Sequence, residues 1–216
     1  MLKTFLNILR ENRSFFVFLL LMSVFRSGIA DWNVVPSGSM KPTIVEGDRI
    51  LVNKLAYDVQ VPFLYHSLKK LSDPQRGDII VFDSEVAQLR LVKRVVGMPG
   101  DVVEMVDNQL YINGQALQYD VLKTHQDQVD EREDLLGVVH IVRLNRDGSR
   151  LSSFAKIQVP EEYYLALGDN RDNSSDSRVI GFVPRHEIIG RAKTVVLSVD
   201  YDHYYLPRSE RFWKTL

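Results

Sequence analysis

The sequence predicts a mainly β protein preceded by one apolar helical segment. Three observations carry this. From Asp48 onward the chain breaks into short runs enriched in β-branched and aromatic residues. No long run with a 3.6-residue apolar period follows the N-terminal segment. Gln109 to Ile112 is followed by Asn113-Gly114, a pair that tolerates the positive φ angles of a type I′ hairpin turn. In chain order, the predicted strands are Arg49 to Val52, Asp78 to Phe82, Leu89 to Val96, Val102 to Val106, Tyr163 to Leu167 and Thr194 to Val199. Residues 120 to 157, polar and charged around the apolar run Leu135 to Leu144, read as an inserted hairpin excursion.

The 216 residues fit one compact domain plus an appendage. A formal charge of -1 without basic patches gives no sign of a nucleic-acid partner. The absence of cysteine excludes thiol nucleophiles, disulfides and thiolate metal sites together.

Phe15 to Phe25 (FFVFLLLMSVF) is apolar apart from Ser23. A spanning helix needs roughly 20 apolar residues, so a transmembrane anchor would cover residues 14–30, with Arg26 snorkelling to the far interface. Lys3, Arg10 and Arg13 outnumber Glu11 before this segment. The positive-inside bias then places residues 1–13 in the cytoplasm and residues 31–216 outside. A cleavable secretory signal ending at Gly28-Ile29-Ala30 and a buried core helix fit the same stretch.

Three stretches bear on chemistry. In Val34 to Thr43 (VVPSGSMKPT), a glycine and two prolines constrain the backbone around Ser37 and Ser39, which makes Ser39 a candidate nucleophile, although a plain turn has the same composition. Serine needs a base to take its proton. His66, His125, His140, His186 and His203 are scattered, lie outside turn-rich segments and lack metal-ligand spacing. A buried, neutral lysine is the other option. Lys93 shares a strand face with Leu91 and Val95 by the period of two, where it is either that base or a lysine snorkelling from a strand end. Gly168 to Arg178 (GDNRDNSSDSR) is dense in side chains that bond their own backbone, so it forms an ordered loop able to offer a hydroxyl to an amine, braced by Asp176 and Arg178. Its match to a calcium loop is loose, because the closing glutamate is missing.

Together these stretches resemble the type I signal peptidases (bacterial leader peptidases), serine proteases of peptidase S26 type. Pro36 to Thr43 is similar to their nucleophile box, Gly47-Asp48 and Asn53 to Tyr57 to the stretch after it, Arg76 to Phe82 to a strand box, Leu91 to Asp101 to the lysine box and Gly168 to Arg178 to the last box. The resemblance implies a fold of two antiparallel sheets with one N-terminal transmembrane helix and an apolar surface on the bilayer. It implies Ser39 as nucleophile, Lys93 as general base, the Ser37 hydroxyl and Ser39 N–H as oxyanion hole, and Ser174 as the group orienting Lys93. Asp176 and Arg178 would support the loop. Val35, Pro36, Met40, Leu91 and Val92 would line shallow pockets for the small residues of an A-x-A site.

By the same resemblance no metal or cofactor is needed, and the partners are preprotein signal peptides, the lipid bilayer and the neighbourhood of the secretion translocase. The location implied is the inner (plasma) membrane, single-pass, with the catalytic domain on the extracytoplasmic side. There are departures. Several relatives carry two membrane segments before the nucleophile box where this chain has room for one, and Asp58 stands where glycine often follows the Leu-Ala-Tyr element. Residues 120–157 match no box. Two other functions remain open on sequence: a dedicated Ser/Lys processing peptidase for a pilin or conjugation factor, and a non-catalytic, membrane-tethered peptide-binding domain.

Overall fold

The computed structural model describes residues 10–63 and 66–216. Most of the expected cytoplasmic segment, Lys3 included, lies outside them. Helix α1, Arg13–Gly28, follows the apolar run. Its C-terminal carbonyls are met from a distance: Lys54 Nζ, on a side chain 1% exposed, donates to Arg26 O at 3.0 Å and Ser27 O at 3.1 Å. A cation at this end also complements the helix dipole. The chain then turns at Ile29 into strand β1, Ala30–Val34.

This corrects the expected span over residues 14–30. The helix has 16 residues, Ala30 already belongs to a strand, and among the described residues no helix is long and apolar enough to cross a membrane. Pairing of β1 with the strand beyond it ends the helix early, because Ala30 to Val34 hydrogen-bond to a sheet edge instead of continuing the turn. The core-helix reading also falls. Phe15 to Met22 are all exposed and only Gly28 of the helix is buried.

Strands β2 (Asp48–Asn53), β3 (Asp58–Val61), β4 (His66–Lys70), β5 (Ile79–Ser84), β6 (Leu89–Gly97), β7 (Val102–Val106), β8 (Gln109–Ile112) and β9 (Gln115–Ala116) come next. Strands β10 (Gln118–Thr124), β11 (Gln128–Asp134), β12 (Val139–Asn145), β13 (Phe154–Gln158) and β14 (Tyr163–Leu167) follow, then the short helix α2 (Ser177–Ile180). The chain ends with β15 (Val183–Pro184), β16 (Ile188–Asp200), β17 (Leu206–Pro207) and β18 (Lys214–Thr215). All six predicted strands are present, and Asn113 and Gly114 both take positive φ at the β8–β9 turn.

The strands form four sheets where two were expected. The largest runs β1-β2-β16-β5-β6-β14-β15, with β17 and β18 on β16, and every strand pairing is antiparallel. Strand β5 is central. Its Ile79 and Val81 enter one buried cluster with Val35, Met40 and Ile44, while Ile80 and Phe82 enter another with Tyr57 and Val95. A third cluster joins Val96 and Leu167 to Met105, Leu110 and Leu135.

The excursion is likewise more than a hairpin. Strands β10, β11 and β12 make a three-stranded sheet starting at Gln118, and β13 joins β7 in the four-stranded sheet. Its polar strands hid the pairing, since β10 is exposed along most of its length and offers no apolar alternation.

Candidate active site

Two pieces of chain flank β6. The first is the loop between β1 and β2. Val35 N bonds Asp48 O and Gly47 N bonds Val35 O, so the loop closes on itself, with Met40 and Ile44 buried as its anchors. Glycine is required at position 47: φ is +87°, and a Cβ there would lie 2.0 Å from Val199 O. The second piece begins where β14 ends. Leu167 pairs with Arg94, so Gly168 leaves the sheet beside Lys93 and Arg94. At Gly168 a Cβ would meet Ser174 Oγ at 2.2 Å and Ser39 O at 2.5 Å, so glycine lets the two loops touch.

Ser39 and Lys93, 54 residues apart, meet here. Lys93 Nζ lies 2.7 Å from Ser39 Oγ and donates to Val92 O at 3.0 Å. The lysine is 2% exposed. Burial holds its pKa down at about 8, against the upward pull of Asp176 and Asp169. Its nearest carboxylates belong to other cations. Arg94 makes a two-pronged pair with Asp169, both bonds 2.8 Å. Arg178 binds Asp176 through Nε at 2.8 Å and Nη2 at 2.6 Å, and Asp176 also accepts from Gly168 N. Asp176 and Arg178 therefore fasten the loop's two ends, Arg178 also donating to Leu151 O and Arg171 O.

Ser174 differs from expectation. Its hydroxyl is buried and has no hydrogen-bond partner, while the hydrogen bonds of Lys93 Nζ go to Ser39 and Val92. Ser37 is exposed at the rim. Val35, Pro36, Met40, Leu91 and Val92 all line one groove of about 420 Å³ that contains Ser37, Ser39 and Lys93. A second cavity of about 390 Å³ also reaches Ser39 and Lys93, and Lys41, Glu46, Asn170 and Asn173 stand on its walls beside Leu91. A cavity of about 740 Å³ around Gln60 and Arg185 touches neither. Asp58, the departure from the glycine pattern, is buried there against Arg185 at 2.8 Å.

The excursion supplies what the sequence reading missed. Glu133 on β11, fully buried, holds Arg171 through two bonds of 2.6 Å. Burial alone would raise this carboxyl; Arg171 and His140 hold it far below the ordinary carboxylate range. On β12, Arg143 N donates to Asp169 O and Asn145 N to Asp172, so this strand carries the loop on its edge. His140, buried, stands 3.2 Å from Glu133 and 3.9 Å from Asp169. Away from both Ser39 cavities, Glu85, His186 and Glu187 bring one ligand atom each within 4.8 Å of one another, a spacing that surface acidic groups reach without an ion.

Comparison with known proteins identifies the family. The family model described as signal peptidase, peptidase S26, matches residues 8–197. A signal peptidase I of Pseudomonas fluorescens is 37% identical over 203 residues, covering 87% of this chain and 72% of that protein. The signal peptidase I P of Bacillus subtilis subsp. natto is 30% identical over 90% of this chain and 91% of that one. A crystal structure of a signal peptidase I from Enterococcus faecalis is 33% identical, with a TM-score of 0.38 over 56% of this chain and 98% of that one. With a family match over most of its length and relatives of 30% identity or more, the chain belongs to the signal peptidase family, peptidase S26, and is a serine endopeptidase.

Proposed function

We propose that this chain removes signal peptides from exported preproteins at a membrane surface, with Ser39 as nucleophile and neutral Lys93 as general base. The observation that carries the reading is the 2.7 Å contact between Lys93 Nζ and Ser39 Oγ inside a site that holds the amine near pKa 8. A neutral amine accepts the hydroxyl proton as Oγ attacks the carbonyl after a small residue. The oxyanion is met by the Ser39 N–H and the Ser37 hydroxyl. The ammonium then gives its proton to the leaving amine, and the neutral lysine activates water to release the acyl group. Ser174, whose buried hydroxyl has no partner here, would have to turn to the amine to orient it during these transfers.

We assign selectivity for A-x-A to the apolar groove lined by Val35, Met40, Leu91 and Val92, against which the small side chains would pack. The bilayer reading is supported by α1, whose exposed Phe15, Phe18, Leu20 and Leu21 would otherwise face water. Its basic flank, Arg10 and Arg13, adds cations that would sit at the headgroups beside that apolar face.

The test is cleavage of a preprotein bearing an A-x-A site by the detergent-solubilised chain and its Ser39→Ala and Lys93→Ala variants. Only the unmodified chain should cut, and only after the small residue. Cleavage by either variant rules out the dyad.

A further inference from the structure

We propose that Asn170 is a positioning residue that aims the oxyanion donor. The proposal rests on the reading of Ser39 as the nucleophile whose own N–H stabilises the oxyanion. Asn170 is 6% exposed, and its Nδ2 donates to Gly38 O at 3.0 Å. That oxygen and the Ser39 N–H belong to one peptide unit. The Gly38–Ser39 bond is trans, so its C=O and N–H point to opposite sides of one plane, and gripping the oxygen fixes where the hydrogen points. Gly38 O also accepts from Lys41 N at 3.0 Å, which occupies its second lone pair and pins the plane twice.

The amide orientation is set by its partners. A carbonyl only accepts, so the NH2 faces Gly38 O, while Asn170 Oδ1 accepts from Asn173 Nδ2 at 3.4 Å. The Ser39 N–H itself donates to no protein group among the described residues, which leaves it available to a substrate.

The Asn170 main chain does a separate task. Its N–H donates to Ser39 O at 3.0 Å, and β12 and the last loop meet at the bridge between Arg143 and Asn170. Loop docking thus survives a side-chain change, so aiming and docking are separable.

The experiment compares the unmodified full chain in detergent with Asn170→Asp, which keeps the shape and loses the donor, and Asn170→Ala. It measures kcat and KM on the A-x-A preprotein and the pH midpoint of kcat/KM. It also measures affinity for a peptide aldehyde, whose adduct with Ser39 carries an oxyanion, and for the matching peptide amide, which carries none. Asn170→Asp should lose about ten- to a hundredfold in kcat with KM changed by less than about threefold. Aldehyde affinity should fall by a similar factor, while amide affinity stays put; the pH midpoint is compared in Asn170→Ala, which adds no charge beside Lys93, and should also stay put. A kcat within about twofold of the unmodified chain, a loss in which amide affinity falls equally, or a midpoint that moves in Asn170→Ala assigns Asn170 to loop structure alone and overturns the proposal. Should Asn170→Asp not fold beside Asp169 and Asp172, Asn170→Ala decides by the same ratios. Ser39→Ala, run alongside, separates the two ideas: if it still cuts, the nucleophile reading fails, and if it is dead while Asn170→Asp is unaffected, only the positioning fails.

Discussion

Lys93 and Arg94 are neighbours on β6, 2% and 5% exposed, yet they enter different regions. Arg94 enters a polar seam where every large buried cation has its own carboxylate: Arg94 with Asp169, Arg171 with Glu133, Arg178 with Asp176. Lys93 enters the apolar side, bonding a serine hydroxyl and a carbonyl and no carboxylate. A buried cation with a partner keeps its charge and holds parts together. One without a dedicated partner loses its preference for the charged form and becomes available as a base. The seam is where the excursion meets the loop at residues 168–178, so the region that matched no family box steadies one that did.

The largest expected effect erases the distinction. Replacing Lys93 by Arg keeps a cation that cannot lose its proton, so it removes the base without removing charge. Cleavage should fall on the order of 10⁴-fold, as far as for Ser39→Ala. Single-turnover cleavage of the A-x-A preprotein measures this, and an active arginine variant would break the contrast.

On the seam side, Glu133→Gln should destabilise the fold by about 3–5 kcal/mol, because Arg171 is left charged in a site closed to water. Denaturant unfolding checks it. The pair replacement Glu133→Leu with Arg171→Met should recover most of that loss if the seam is structural.

The opposite sign is expected at Lys93. Its pKa falls from 10.5 to about 8 on folding, so below pH 8 the folded state holds an ammonium that the unfolded chain accommodates better. At about 1.4 kcal/mol per pKa unit the penalty is about 3 kcal/mol, fully present below pH 8 and gone above pH 10.5. Lys93→Met should therefore be inactive and more stable by about that amount at pH 7, with the gain shrinking as pH rises through that window. Unfolding midpoints at pH 7 and pH 10.5 test it. An equal gain at both would assign the effect to packing.

How much of this was legible in the sequence follows the same division. Ser39 stood out because glycine and prolines write a tight turn locally, and Lys93 because a lysine amid aliphatic strand residues is conspicuous. The strands around them were readable for the same reason: Ile79 to Phe82 are apolar whichever face they occupy. The seam was opaque. Gln128–Asp134 (QVDERED) has almost no strand-forming composition, and it is a strand because its charges find partners, Asp130 in Arg143, Glu133 in Arg171 and Arg132 in Asp120. Nothing local marks Glu133 as the mate of Arg171, 38 residues on, or Asn170 as the grip on Gly38, 132 residues back. The early end of α1 had the same origin, since Lys54 caps it from 27 residues away.

The smallest expected effect sharpens the contrast most cheaply. If Lys93 is the base, the neutral amine is the active form, so kcat/KM should rise with pH and level off above about pH 8. At pH 7 about one site in ten is neutral, so the rate there should be about a tenth of the plateau. The seam predicts no such step, because the carboxylates of Asp169 and Glu133 are held below their ordinary range and remain ionised throughout. Neutralising Asp176, a carboxylate that pulls the Lys93 pKa upward, should then move the midpoint down, provided the loop it braces stays folded. A midpoint near 10.5 would mean that water reaches the amine. A profile that is flat from pH 7 to 10 would mean that proton removal by Lys93 does not limit the reaction, and the division between the two regions would then be one of structure alone.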